Sequence, residues 1–355
     1  MSVSPFDHPF LSGLLGDDEI ARQFSAQADL AAMIAFETAL AQALADEGLI
    51  PGSAAKAIVT AAESFKPDIE KLNRATAKDG VVVPDLVRQL REAVGGRHGR
   101  HVHFGATSQD VIDTSLTLRL LPALDLLASR LDTVVDALDA LDQRDGGVTV
   151  MAHTRMQAAL PVPARRKIAS WRQPLVRHRH RVADVREALA VVTFGGAAGT
   201  LEKLGEKARP VAENLAARLK LGFADPTRHS ERDGFAALAS VLSLVTGSLG
   251  KMGADIGLAA QSEVGEIKLA SGGRSSAMKD KINPIDAEML VALARFNATL
   301  VAGMHHSLVH ENERSGAAWT LEWMLLPQMV VATGAALRIS ITLVENLSFV
   351  GQRPK

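Results

Sequence analysis

The sequence predicts an all-α protein built around a bundle of long helices. Three stretches, 120–141, 168–189 and 238–259, repeat apolar residues in alternating steps of four and three. This heptad spacing is typical of helices that pack nearly parallel at shallow crossing angles. Residues 285–312 and 318–348 have broader apolar faces and predict two more long helices. No strand-rich segment, internal repeat or glycine-rich phosphate loop is evident, so five long helices are expected to form the bundle.

Shorter helices are predicted before the bundle. Residues 1–105 are interrupted by Pro and Gly pairs and predict a small N-terminal helical domain, with one helix over about 29–47. Residues 106–350 form the predicted central long-helix domain. Pro122 and Pro327 fall inside helical patterns and are expected to kink those helices without ending them.

Composition restricts the classes of partner. The 355 residues include 39 Lys and Arg and 40 Asp and Glu, for a net charge of -1. This balance argues against nucleic acid or an anionic membrane as the main partner. The absence of cysteine excludes disulfides and thiolate metal sites and fits a reducing compartment. No signal peptide is evident, and no uninterrupted apolar run approaches the ~20 residues of a membrane span, so a cytoplasmic protein with no membrane partner is expected.

The long helices are also unusually apolar. Alanine and leucine recur around more than one side of them. A helix that is apolar on two sides needs a second partner, so other subunits are expected to cover the bundle. The alternative is one thick monomeric bundle.

The first of four polar segments is 101–110. Thr107 and Ser108 can cap the helix that follows, and the free N–H groups there could hold a carboxylate. His101 and His103 are two residues apart, as in some metal sites. No carboxylate or cysteine accompanies them at ligand spacing, so no metal is expected.

Two further polar segments are 152–161 and 310–316. The first is predicted to be a loop before a helix whose start is marked by prolines. An ordinary polar loop without a functional role is the alternative. Its polar side chains include Thr154, Arg155 and Gln157. The second joins the last two helices and contains Arg314. Because arginine matches carboxylate geometry, these cations favour a small substrate with several carboxylates.

The fourth segment, 274–284, lies between two helix-patterned stretches and behind two glycines. It contains Ser275, Ser276, Lys281 and Asn283. A solvated connection with an Asn-Pro turn is the plain alternative. No Gly-x-Ser-x-Gly elbow or cysteine nucleophile exists. A serine beside an ammonium and an amide suits proton transfer at a carbon next to a carboxylate, where the two groups stabilise the enolate-like charge.

These segments resemble the shared regions of the fumarase/aspartase/argininosuccinate lyase superfamily. Residues 273–284 resemble its signature loop, 105–114 its first region, and 154–157 its second, which in most members is Thr-His-x-Gln. The resemblance covers roughly residues 100–330. It implies a central domain that forms a multi-helix core in a homotetramer. It also implies active sites assembled from three regions of three subunits, with no metal or organic cofactor.

The resemblance assigns roles to individual residues. It implies that Ser275 is the catalytic acid/base, assisted by Lys281 and Asn283. The implied substrate-binding residues are His103, Thr107, Ser108, Thr154, Arg155, Gln157, Ser276 and Arg314. Two positions depart from the family pattern, since Arg274 replaces the usual glycine and Lys279 the usual proline. The third, C-terminal domain of many members has no evident counterpart in this sequence.

Within the superfamily, the sequence most resembles the 3-carboxy-cis,cis-muconate cycloisomerases of bacterial protocatechuate breakdown. Arg155 replaces the lyase histidine, as in that branch, and the Glu-Arg, Trp and Glu-Trp pattern over 313–327 is similar. The branch implies that the substrate's own carboxylate adds across a double bond while Ser275 protonates the carbanion. Arg155 stays protonated and would bind a carboxylate.

Two alternatives remain open on sequence alone. Adenylosuccinate lyase shares the Thr-Ser-x-Asp-x-x-Asp-Thr pattern of the first region, although Arg155 argues against it. A non-catalytic helical scaffold is the third possibility. The intact serine, lysine and asparagine of segment 274–284 argue against that one.

Overall fold

The computed structural model describes residues 3–270, 272–274, 278 and 281–351. Its α-helices are α1 (Ser12–Leu15), α2 (Asp18–Arg22), α3 (Ala26–Asp46), α4 (Gly52–Glu63), α5 (Ile69–Asp79), α6 (Val83–Val94), α7 (Ser108–Asp145), α8 (Arg165–Leu189), α9 (Ala208–Leu219), α10 (Asp233–Ala259), α11 (Ile285–His306) and α12 (Gly316–Glu345). Its strands are β1 (Thr149–Thr154), β2 (Gln157–Pro163), β3 (Val191–Val192), β4 (Gly222–Phe223), β5 (Ile267–Leu269), β6 (Gly273–Arg274), β7 (Ile282–Asn283) and β8 (Leu347–Phe349). Short 3₁₀ helices cover Gly99–His101 and Glu202–Lys207.

The five long helices α7, α8, α10, α11 and α12 form the predicted bundle, and the all-α class is confirmed. α10 packs against α8, α11 and α12, and α7 packs against α8 and α12. The apolar seams face inward, and Leu120, Leu124 and Leu242 are completely buried. α11 ends at His306, six residues before the predicted end at 312, because residues 307–315 turn the chain into α12.

The strands were not predicted. Residues 149–163 form an antiparallel hairpin, and three other two-stranded sheets pair β3 with β4, β5 with β8, and β6 with β7. The expectation of a plain loop over 152–161 is therefore wrong. Strands of two to seven residues are too short for alternation to stand out from a helical background. The prolines of β2 are tolerated because each strand of a two-stranded sheet is an edge strand.

The apolar residues form two clusters. One fills the long-helix bundle. The other is formed by residues of α3, α4, α6 and α9 together with the first turns of α7. α9 therefore packs against the N-terminal helices. Pro122 and Pro327 lie inside α7 and α12. The division of the chain near residue 105 stays a prediction.

The bundle has two distinct ends. At one end, Arg144 Nη2 donates to the carbonyl of Leu347, 2.5 Å away, and Met151 N donates to Glu266 Oε1, 2.6 Å away. The C-termini of α7, α10 and α12 and the hairpin therefore lie together. At the other end, Arg232 contacts Asp113 near the N-terminus of α7. α7 has 38 residues, so at 1.5 Å per residue the two ends are about 57 Å apart.

Within the described part of the chain, four helices, α3, α10, α11 and α12, are long and apolar enough to cross a membrane by length and composition. The expectation based on uninterrupted apolar runs did not identify them, because polar and charged residues such as Glu37, Arg295 and Gln328 interrupt those runs. Their apolar windows are partly buried within the chain, from 28 % in α11 to 67 % in α12. Packing within the chain buries more than half of the apolar window in α10 and α12, half in α3 and the smallest share in α11.

The segment Arg172 to Arg181 of α8 contains several half-buried or exposed arginines and one buried histidine, His178. Arg181 Nη1 lies 3.1 Å from its Nδ1. Because arginine only donates, Nδ1 accepts, and Nε2–H donates to Ser248 Oγ at 2.8 Å. Burial, followed by the charges of Arg181 and Arg177, lowers the pKa of His178 to about 4.

We expect His178 to make the fold acid-sensitive. The unfolded chain takes up this proton near pH 6.5, whereas the native state takes it up only near pH 4. Stability is therefore fully present above the higher value and is lost as pH falls through this window, by about 3 kcal/mol. Urea unfolding of wild type and His178→Gln across the window measures the loss. Equal pH slopes in the two proteins would contradict the assignment.

Candidate active site

The N-terminus of α7 carries the first group of predicted site residues. Thr107 is the N-cap residue and Ser108 the first residue of the helix, as the sequence predicts. The backbone N–H of Thr107 donates to Asp110 Oδ2 at 2.9 Å. Both hydroxyl residues are half-buried. The first-turn N–H groups and two hydroxyls together can hold a carboxylate.

Asp110 also fixes a glycine-rich loop against this helix end. It is completely buried and accepts from the N–H of Gly195 at 2.9 Å and of Gly196 at 3.0 Å. His229 Nε2 lies 2.7 Å from its Oδ1. A Cβ at Gly195 would lie 2.3 Å from a methyl of Thr227, so only glycine permits the approach. The sequence analysis missed these contacts because they join residues more than 80 positions apart.

His103 is paired with a carboxylate. Its Nδ1 lies 2.6 Å from Oε1 of Glu37, a buried residue of α3. Burial lowers the pKa of His103, but the charge and hydrogen bond of Glu37 outweigh it and hold the pKa above its usual value of 6.5. The pairing with Glu37 therefore favours the protonated form of His103. The sequence predicted a binding role for His103 and did not predict Glu37.

Arg314 reaches the same end of the bundle. Its Nε donates to Oε1 of the buried Gln109 at 2.7 Å, and its Nη2 donates to the carbonyl of Ala197 at 3.3 Å. Arg314 itself is half-buried. The guanidinium thus lies beside the N-terminus of α7, where a cation adds to the attraction for an anionic group.

A buried ion cluster lies below this surface. Arg232 contacts Asp113 at 2.6 Å and Glu322 at 2.5 Å, and all three side chains are 1 % exposed. Trp319 Nε1 donates to Asp113 Oδ1 at 2.9 Å. Burial disfavours the charge of Arg232, but the two carboxylates raise its pKa above the usual range. His310 lies 3.5 Å from Glu322, and neither ring nitrogen has a hydrogen-bond partner in the described chain.

The second predicted region lies at the tip of the β1–β2 hairpin. Thr154 pairs with Gln157 across a two-residue turn formed by Arg155 and Met156. Both turn residues have positive φ, 47° and 65°, as in a type I′ hairpin turn. Non-glycine residues seldom adopt this conformation, and such positions cluster at functional sites. Residues 153–160 are all exposed, so no described part of this chain covers the tip.

The third region is the segment 273–284, which resembles the family's signature loop and contains Ser275 and Ser276. Ser275 and Ser276 lie outside the described residues, as does Lys279. The strands on either side pair antiparallel, with Gly273 opposite Asn283. A Cβ at Gly272 would lie 2.6 Å from the carbonyl oxygen of Asn283, so glycine allows the two arms to approach. Lys281 is exposed and Asn283 half-buried.

The predicted site residues therefore form two groups at opposite ends of the bundle. The first group is His103, Thr107, Ser108 and Arg314. The second is Thr154, Arg155, Gln157, Lys281 and Asn283. α7, which is about 57 Å long, separates the two groups along the bundle. No small substrate can contact both groups within one chain.

Among the described residues, no three histidine or acidic side chains form a group that could hold a metal ion. His101 and His103 do not converge with other ligands there, because His103 is paired with Glu37. The expectation of a metal-free and cofactor-free site stays a prediction.

The chain is similar to known proteins over most of its length. The model of the lyase family matches residues 16–297. The 3-carboxy-cis,cis-muconate cycloisomerase of Pseudomonas aeruginosa is 38 % identical over 336 residues, which are 93 % of this chain and 73 % of that protein. Among solved structures, the 3-carboxy-cis,cis-muconate lactonizing enzyme of Pseudomonas putida is 37 % identical with a TM-score of 0.89, covering 96 % of this chain and 77 % of that one.

A fumarate lyase from Mesorhizobium sp. BNC1 has the same architecture. Its TM-score is 0.88 at 34 % identity, over 94 % of this chain and 76 % of that chain. These similarities confirm the resemblance predicted from three short motifs. The chain belongs to the lyase family.

Proposed function

We propose that the protein is a cycloisomerase that converts 3-carboxy-cis,cis-muconate to the carboxymuconolactone, in protocatechuate (β-ketoadipate) breakdown. The observation that carries the proposal is the guanidinium of Arg155 at the exposed hairpin tip, between Thr154 and Gln157. A lyase that eliminates an amine or water needs a base at this position, and arginine cannot act as one. The similarity to cycloisomerases over 93 % of the chain supports the same reaction.

The reaction explains why a histidine is not required. The substrate's carboxylate is already ionised at neutral pH, so its oxygen can attack the double bond without a general base. Arg155 then has the simpler task of binding another carboxylate of the same molecule. Thr107 and Ser108, with the N–H groups of α7, and Arg314 bind a further one. His103 lies at the same end, and Glu37 raises the pKa of its ring.

Ser275 completes the addition. A new C–O bond forms as the C=C bond breaks, and the electron pair moves onto the carbon next to a carboxylate. Lys281 and Asn283 stabilise the enolate-like charge. The hydroxyl of Ser275 delivers a proton to that carbon and recovers one from solvent. The proton added at carbon replaces the one that the attacking carboxyl lost on ionisation, so substrate and product have the same atoms when both are counted as free acids, as an isomerisation requires.

We propose that the active enzyme is a homotetramer with composite active sites. The two groups of site residues lie toward opposite ends of a bundle in which α7 alone is about 57 Å long, so different subunits are needed to bring them together. α11 leaves most of its apolar window uncovered, which supports contact with other subunits. The enzyme would be soluble and cytoplasmic, without cofactor, nucleic-acid partner or membrane partner.

The test is an ultraviolet assay of the purified protein with 3-carboxy-cis,cis-muconate, with adenylosuccinate in parallel. Loss of the diene absorbance at enzyme-like rates supports the proposal. Cleavage of adenylosuccinate alone would favour the lyase that shares the Thr107 to Thr114 pattern. Turnover of neither substrate would overturn the proposed substrate and favour a scaffold or an unidentified lyase.

Arg155→Met provides a test of carboxylate binding. We expect KM to rise by roughly 10- to 100-fold with a smaller change in kcat, because a charge-assisted contact made in both ground and transition state is lost. Steady-state kinetics measures both constants. Arg177→Met, which removes an exposed arginine from the middle of α8, is the matched control. An unchanged KM in Arg155→Met would remove this residue from the site.

A further inference from the structure

Gln109 stands between Arg314 and the buried ion cluster. Its side chain is completely buried. Its Nε2 donates to the carbonyl of His229 at 2.7 Å and to Asp113 Oδ2 at 3.1 Å. Its Oε1 accepts from Arg314 Nε at 2.7 Å. Every polar atom of this amide is therefore engaged.

The chemistry of its neighbours allows only one orientation of the Gln109 amide. A carbonyl and a carboxylate can only accept hydrogen bonds, so the NH₂ group must face His229 and Asp113. A guanidinium can only donate, so the amide oxygen must face Arg314. A flipped amide would leave donor against donor and acceptor against acceptor in a buried site, which is costly.

The acceptor that orients Gln109 is itself rigidly held. Asp113 accepts from Arg232 and from Trp319 Nε1, and Arg232 also contacts Glu322. These side chains come from α7, from the residue before α10, and from α12. A fully paired buried network of this kind holds its members in one arrangement.

Arg314, which is half-buried, is the outermost residue in this series of hydrogen bonds. Its Nε is bound by Gln109 and its Nη2 by the carbonyl of Ala197, whereas its Nη1 has no hydrogen bond to any described residue. We propose that Gln109 is a positioning residue. It holds the Arg314 guanidinium in place before substrate arrives, so that less rotamer entropy is lost on binding. The role in carboxylate binding rests on the function proposed above.

The first test measures the anchoring without substrate. Gln109→Met keeps the side-chain volume but removes the amide, and hydrogen exchange is followed in the segment 307–315. We expect faster exchange there than in wild type. Asn297→Leu is the control, because Asn297 of α11 is an equally buried amide whose Nδ2 donates to the carbonyl of Met329 and to Thr333 Oγ1 in α12, away from Gln109. It should leave segment 307–315 unchanged.

The second test measures coupling by a double-mutant cycle. In an otherwise wild-type enzyme, Gln109→Met should raise KM for 3-carboxy-cis,cis-muconate about tenfold with little change in kcat. In an Arg314→Lys background the same substitution should change KM less than about twofold, because Gln109 acts through the lost Nε–H. A purely structural role for Gln109 would give additive effects.

The outcomes separate the two proposals. Faster exchange in 307–315 and non-additive KM values support the positioning role. The positioning role is overturned if exchange in 307–315 is unaltered or is raised equally by Asn297→Leu. It is also overturned if KM is unchanged in an active Gln109→Met enzyme. A wild-type protein that does not turn over the muconate overturns the proposed reaction alone, because the exchange experiment contains no substrate.

Discussion

Ser275→Ala is expected to lower kcat by roughly 10²- to 10⁴-fold, the contribution of a positioned acid/base group. The addition would still begin, because the attacking carboxylate belongs to the substrate, but the carbanion would lack its proton donor. KM should change little, since Lys281 and the carboxylate-binding residues remain. Steady-state kinetics with 3-carboxy-cis,cis-muconate measures both constants, and thermal unfolding shows whether the fold is intact.

Ser276→Ala separates the two neighbouring serines. Ser276 is assigned to binding, so its substitution should act on KM more than on kcat. Retained turnover in Ser275→Ala, or a larger loss of kcat in Ser276→Ala, would show that Ser275 is not the acid/base. Loss of activity together with a lowered unfolding temperature would point to a structural role for the loop instead.

The second large effect is recovery of activity in mixed oligomers. The strands that flank Ser275 in the sequence, β6 and β7, lie at the end of the bundle opposite Arg314, so a composite site would take Ser275 and Arg314 from different subunits. Ser275→Ala and Arg314→Ala homo-oligomers should each turn over low substrate poorly. Co-expression of the two variants should restore roughly a quarter of wild-type activity, because random assembly leaves that share of sites with both residues intact.

The matched control pairs Ser275→Ala with Lys281→Ala. These two residues belong to the same loop, so no mixed site can regain both, and activity should stay low. Activity at substrate concentrations well below KM, measured on co-purified mixed oligomers, gives the comparison. Equal recovery in both pairs, or recovery in neither, would rule out sites built from opposite ends of different chains.

Local patterns were sufficient for much of the fold. The heptad seam beginning at Leu120 predicted α7, because burial of one helix face requires apolar residues every three or four positions. Thr107 was identified as a cap because a hydroxyl residue before a helix satisfies its free N–H groups. The hairpin over 149–163 was missed, since its strands are short and its exposed residues show no apolar alternation.

The sequence by itself determined the all-α class, the long bundle and the family, because helical periodicity and three short motifs are local properties of the chain. Only the tertiary structure decided how the site is supported. Glu37 beside His103, Gly195 and Gly196 on Asp110, and Arg232 between Asp113 and Glu322 are contacts across 66 to 119 positions. The physical reason is that buried polar groups must find partners wherever packing brings them, and sequence spacing does not record that distance.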